Sequence, residues 1–147
     1  MIALVPLDLE ALLVALVLDP ATYSRNRFFH LYTDPAARRV RRRAVLVRSI
    51  IRHVAAEDAA RRGEIVDAVP LGDGWVELSY TVPALGLRRI TRLDAMELCL
   101  VRFAIVRAPG ARRSNVDEDA DRQRIEGALR RLAQPVAIAE PGTGTSA

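Results

Sequence analysis

The segment from Asp34 to Gly63 constrains the fold most, because it contains the start, the period and the end expected of one long helix. Asp34 precedes Pro35, so a capping carboxylate stands before a proline whose missing N–H costs nothing in the first turn. Apolar residues then recur at alternating spacings of four and three, which places them on one side of a helix. They are Ala37, Val40, Ala44, Val47, Ile51, Val54 and Ala55. With Gly63 as a terminating residue, the pattern predicts a helix over about 35–62, packed along one neighbouring helix or across a dimer.

Two shorter helices are predicted upstream of this one. The first covers about 8–18, and its longest uninterrupted apolar stretch is far shorter than the roughly 20 residues that a bilayer requires. The start of the chain also lacks early positive charge, so we expect a buried amphipathic helix and neither a leader nor a membrane anchor. Asp19-Pro20 repeats the capping pair and predicts a second helix over about 20–32.

A β-hairpin is predicted over residues 64–82. Gly72-Asp73-Gly74 supplies the turn, and the residues from Trp75 to Val82 alternate strictly between apolar and other side chains. A lone hairpin is marginally stable. We therefore expect it to pack on the helices or to gain a third strand at about 87–93, giving an antiparallel sheet over about 64–93.

The C-terminal third is predicted to hold one or two helices. Asp94 with Glu97 three residues later is a capping-box pattern, which favours a helix over a strand for residues 94–108, although strand-forming residues are frequent there. A further helix is expected at about 117–133. The fold class is therefore α+β, with residues 1–134 as a single compact domain and 135–147 as a tail that is flexible or ordered by a partner.

Charge is concentrated in one window of the chain. All 22 basic residues are arginine and the net charge is +4. A coding bias is a sufficient hypothesis for the absence of lysine, so arginine as a residue type is not counted as evidence of function. Its position is informative, because nine of the 22 lie in residues 25–52. These candidate contact residues are Arg25, Arg27, Arg38, Arg39, Arg41, Arg42, Arg43, Arg48 and Arg52.

This arginine-rich segment has three interpretations. Arginine and aromatic residues are enriched at protein interfaces, and four of the chain's aromatics lie in 23–32. We therefore predict a protein–protein interaction module, a regulatory or assembly subunit, whose partner is another protein or a second copy. The alternative is nucleic-acid binding, with the helix from Arg38 to Arg52 contacting phosphates. In the third interpretation the arginines form a solvated face or pair with acids elsewhere in the chain.

Other motifs predict no catalytic, cofactor or metal site. Residues 115–126 have oxygen-bearing side chains at the spacing of a calcium loop, but Ala120 stands where the sharp turn needs glycine. His30, His53 and Cys99 show no ligand or nucleophile spacing and are interpreted as packing residues. We expect a non-enzymatic protein with no cofactor, small-molecule substrate or membrane partner. A single cysteine excludes an intrachain disulfide and favours a cytoplasmic location.

Overall fold

The computed structural model describes residues 8–19, 34–110 and 115–133, and within them the protein is α+β. The helices are α1 (Leu9–Leu18), α2 (Pro35–Val54), α3 (Ala95–Arg107) and α4 (Asn115–Ala133), and the strands are β1 (Ile65–Pro70), β2 (Trp75–Val82) and β3 (Leu87–Asp94). The described residues thus hold two helices before the sheet instead of the three expected. The predicted helix at 20–32 and the predicted tail at 135–147 lie outside them.

Helix α2 begins where the sequence predicts. The Asp34 carboxylate accepts hydrogen bonds from the backbone N–H groups of Ala36 (2.7 Å) and Ala37 (3.3 Å), and Pro35 occupies the first turn. These bonds satisfy N–H groups that have no partner inside the helix. The N-terminal prediction is therefore confirmed.

The same helix ends at Val54, so the predicted extension to about residue 62 is wrong. Asp58 accepts a hydrogen bond from Ala60 N–H (3.0 Å) and thereby starts a separate single turn of 3-10 helix at Ala59–Arg61. The backbone N–H of Gly63 donates to the His53 carbonyl over 2.7 Å, which folds the chain back against the end of α2. Gly63 thus marks a reversal towards the sheet instead of the end of the helix.

The buried face of α2 is broader than the predicted stripe. Ala37, Ala44, Val47 and Val54 are buried as expected, but Ile50 is fully buried as well. The reason is that α2 contacts α1, α3 and β2 and therefore has neighbours on several sides. The expectation of one packing neighbour is wrong.

The sheet has three antiparallel strands in the order β1-β2-β3, which confirms the predicted third strand. Leu78, Tyr80 and Val82 of β2 are buried with Leu93 of β3 in the same core as the helices. The β1–β2 turn contains Gly72 and Gly74 at φ values of 82° and 85°, a conformation that glycine adopts without strain. β1 carries an irregularity in its register between Ile65 and Asp67.

Helices α3 and α4 complete the helical side of the core. The capping box is confirmed, since Glu97 N–H donates to the Asp94 carboxylate and Asp94 N–H donates to the Glu97 carboxylate, both over 2.9 Å. α4 is a continuous helix over residues 115–133, so the backbone at 115–126 does not form a calcium-binding loop. No helix in the described part of the chain is long and apolar enough to cross a membrane.

Candidate interaction surface

The structure places the predicted contact arginines of α2 in three environments. Arg38, Arg39, Arg42 and Arg52 are exposed, Arg41 and Arg48 are half-buried, and Arg43 is half-buried in an ion pair. Arg25 and Arg27 lie outside the described residues. The arginine-rich window therefore does not form one uniform surface.

Three of the exposed arginines share one side of α2 with an exposed apolar residue. At 100° per residue, Arg38, Arg42, Val45 and Arg52 project within an arc of about 80°, and they extend over about 21 Å of helix. We call these four residues the outer α2 face. Val45, near its middle, is 58% exposed. The face therefore presents an apolar centre with cationic ends to solvent.

The outer α2 face carries positive charge that no described carboxylate pairs with. α2 contains no acidic residue. Among the residues that the structure describes, no carboxylate lies within salt-bridge distance of Arg38, Arg42 or Arg52. The interpretation in which these arginines neutralise acids elsewhere in the fold therefore has no support within the described part of the chain.

Arg43 is different, because it bonds to groups inside the protein. Its Nε lies 2.6 Å from Glu97 Oε2, and its Nη2 lies 2.8 Å from Glu97 Oε1 and 2.7 Å from the Arg92 carbonyl oxygen. The Arg43 guanidinium also lies 5.5 Å from the centre of the Trp75 ring, within cation–π range. The hydrogen bonds that Arg43 donates to Glu97, opposed by partial burial, raise the pKa of Arg43 above its ordinary value. The fully buried Glu97 side chain thus has its counter-charge from α2.

A cavity of about 270 Å³ opens beside this ion pair, between α1, α2 and the start of α3. Its apolar lining residues are Leu9, Leu13, Val40, Trp75 and Met96. Five charged residues also line it. The polar groups of Arg43, Asp94 and Glu97 bond to each other or to backbone, Glu10 pairs with arginines of α4, and Arg39 is exposed. In the described residues no group of three or more metal-binding side chains occurs. The Arg43–Glu97 pair at this cavity therefore stabilises the α2–α3 contact, and the rest of the lining is mostly apolar.

Cys99 is a buried free thiol, as the sequence predicts. Burial, reinforced by the charge of Asp121, raises its pKa to about 12. Its Sγ also contacts the Asp121 carbonyl oxygen at 3.5 Å. Since the thiolate is the reactive form, this cysteine is unreactive at neutral pH. His53 is half-buried at the end of α2, in keeping with a packing residue.

Sequence reasoning missed a second exposed cationic surface, on β3. Arg88, Arg89 and Arg92 are exposed there, and Ile90 between them is 63% exposed. The pattern Arg-Arg-Ile-Thr-Arg in a predicted strand already contains part of this information, because alternation places Arg88, Ile90 and Arg92 on one side of the sheet. Net charge summed over a longer segment of the chain hides these β3 arginines among neighbouring charges.

Comparisons with protein-family models, with curated proteins and with solved structures give no significant match to this chain. The described fold itself defines a class, an α+β domain in which helices cover one face of a three-stranded antiparallel sheet.

Proposed function

We propose that this protein is a non-enzymatic protein–protein interaction module, a regulatory or assembly subunit that binds an acidic partner through the outer α2 face. The observation that carries the proposal is the outer α2 face itself. Three exposed arginines, with no carboxylate within salt-bridge distance among the described residues, lie on the same side of α2 as the exposed side chain of Val45. Arginine combined with apolar area is the composition of interface centres.

The geometry suits an amphipathic acidic helix as the partner. A helix that carries three carboxylates at successive spacings of four and ten residues matches the spacing of Arg38, Arg42 and Arg52 along α2. An apolar residue within the ten-residue interval covers Val45. Arginine binds carboxylates with two parallel hydrogen bonds, which adds orientation to attraction. A face of about 21 Å is short, so we expect a weak and reversible contact.

The proposal that this protein is not an enzyme rests on two features, an unreactive thiol and an ion pair that already serves the fold. The Cys99 thiol is protonated at neutral pH, and the Arg43–Glu97 pair stabilises the contact between two helices. A buried free cysteine also supports location in a reducing compartment, which we propose to be the cytoplasm.

Nucleic-acid binding is the second candidate function, favoured by the absence of any acidic residue on α2. In this alternative, Arg38, Arg42 and Arg52 contact phosphates, and affinity falls steeply with salt. Val45 separates the two candidates, because an apolar side chain contributes to a protein interface but adds nothing to phosphate contacts.

The test uses two fluorescent probes at two salt concentrations. One is a designed 20-residue amphipathic helix with glutamates at the spacing above, and the other is a 20-base-pair DNA duplex. Anisotropy at about 50 and 200 mM salt covers the range in which phosphate-dominated binding weakens strongly. We expect the acidic helix to bind more tightly than DNA at both concentrations.

Variants of the outer α2 face then show whether these residues bind the probe. The triple change Arg38→Gln, Arg42→Gln and Arg52→Gln should weaken acidic-helix binding at least about tenfold, since each lost charged contact costs roughly 0.5–1 kcal/mol. Val45→Asp should weaken it as well, whereas Arg130→Gln on α4 is the matched control and should have no effect. Tight DNA binding that Val45→Ala leaves unchanged would establish the alternative. Binding of neither probe would refute both.

A further inference from the structure

The sheet has two exposed edges within the described residues. β1 and β3 each pair only with β2, so each has one side without a strand neighbour. Apolar side chains are exposed on both outer strands, Val66 and Val69 on β1 and Leu87 and Ile90 on β3. Exposed edge strands are templates for pairing with another chain.

The two edges carry opposite charges. Glu64 and Asp67 are exposed at β1, and Arg88, Arg89 and Arg92 are exposed on β3. Within the described part of the chain none of these five side chains forms an ion pair. Each edge therefore presents unneutralised charge of one sign together with exposed apolar side chains.

We propose that the partner of each edge is the opposite edge of a second copy of this chain, so that β1 of one copy pairs with β3 of the next and the sheet continues between them. Charge complementarity selects this arrangement. Pairing β3 with β3 would bring six arginines together, and pairing β1 with β1 would bring four carboxylates together; like charges across paired strands are destabilising. The head-to-tail contact instead brings arginines to carboxylates and apolar residues to apolar residues.

Local geometry limits the length of the contact. On β1, the register irregularity at Val66 and the missing N–H of Pro70 restrict a regular ladder to residues 67–69. On β3, the Arg92 carbonyl already accepts a hydrogen bond from Arg43, which leaves residues 87–91 free. A pairing this short is weak, and because it is head-to-tail, each added copy leaves a new free edge. The assembly therefore grows with protein concentration and shrinks as salt screens the charges.

Sedimentation equilibrium of the full chain tests the proposal. From about 10 µM to about 1 mM, the range in which small interfaces associate, the mean mass should rise without stopping at a dimer, and 0.5 M salt should reverse the rise. Two charge reversals, Arg88→Glu with Arg89→Glu on β3 and Glu64→Arg with Asp67→Arg on β1, should each remain monomeric. Circular dichroism must show that both variants stay folded.

Mixing the two charge-reversal variants gives a result that a folding defect cannot produce. One variant has two acidic edges and the other has two basic edges, so an equimolar mixture should assemble with the two variants alternating, although neither variant assembles alone. A chain that carries all four reversals regains complementary edges and should assemble again. Arg38→Glu with Arg42→Glu on the outer α2 face is the control and should assemble like the unchanged protein, which separates this inference from the proposed function. A monomer at 1 mM, a closed dimer, or assembly that survives either charge reversal would overturn the proposal.

Discussion

Arg43 shows how a single residue links the charge pattern of the sequence to the packing of the fold. Its guanidinium bridges α2 to the first turn of α3 through Glu97 and to β3 through the Arg92 carbonyl. The Glu97 side chain is fully buried, so its charge requires a partner of this kind. Arg43, itself half-buried, thus joins α2 to the buried start of α3.

We expect Arg43→Met to lower the free energy of unfolding by about 2–3 kcal/mol, because it leaves the Glu97 carboxylate buried without its counter-charge. Urea unfolding at neutral pH measures the change. Arg42→Met is the matched control on the exposed side of the same helix and should lie within about 0.5 kcal/mol of the unchanged protein. Equal losses for the two variants would show that the ion pair contributes nothing to stability.

At the residue scale, sequence reasoning identified what depends on neighbours along the chain. The caps of Asp34 and Asp94 and the burial of Cys99 were predicted, since each follows from residues within one or two helical turns. The partner of Arg43 lies 54 residues away and was not predicted. One clue was present: Glu97 begins an apolar run in a helix expected to be buried, and a buried acid needs a cation.

At the scale of elements, Gly63 determines how α2 connects to the sheet. Its N–H bonds to the His53 carbonyl at the end of α2, and the next residue, Glu64, exchanges hydrogen bonds with Thr81 of β2. A Cβ atom on Gly63 would collide with the Thr81 carbonyl oxygen, which is backbone and cannot turn away. The glycine is needed for close approach, not for its φ angle.

We therefore expect Gly63→Ala to destabilise the protein by about 3 kcal/mol, the cost of forcing packed backbone apart. Gly127→Ala on α4 is the matched comparison, because its Cβ would meet only the ends of flexible arginine side chains. It should stabilise the protein by about 0.5–1 kcal/mol, the helix-propensity difference between the two residues. Thermal and urea unfolding measure both. A Gly63→Ala protein as stable as the unchanged one would contradict the steric argument.

The elements themselves were largely predictable, and their limits were less so. α1, α3, α4 and all three strands lie close to where the sequence predicts them. The end of α2 was missed because helical periodicity continued through Ala55, whereas Asp58 starts a competing turn that ends the helix early. The exposed charge on β1 and β3 was missed because it depends on which strands lie at the sheet edges, and strand order is not a local property.

At the scale of the whole molecule, charged contacts between α1 and α4 join regions more than 110 residues apart. Arg131 Nε lies 2.6 Å from the Asp8 carboxylate, and Arg124 Nη2 lies 2.7 Å from the Glu10 carboxylate. Asp8 also caps α1 by accepting a hydrogen bond from Ala11 N–H over 3.0 Å. Burial raises the pKa of Asp8, but the hydrogen bonds and charge of Arg131 with the Ala11 bond outweigh it, so the net pKa lies below 3.8.

Because the pKa of Asp8 is lowered in the folded state, the stability of the protein should fall as the pH falls. The ionised Asp8 is favoured in the folded state, so its contribution to stability is complete above pH 3.8, the ordinary pKa, and is lost as pH falls through the lower folded-state value. Arg131→Gln should therefore lower the urea midpoint at pH 7 and lower it less at pH 2, because protonation of Asp8 as the pH falls removes the charge that Arg131 contacts. Arg130→Gln, next along α4, should change neither midpoint. If Arg131→Gln lowered the midpoint equally at both pH values, the contact would act through packing, and the charge of Asp8 would not join α1 to α4.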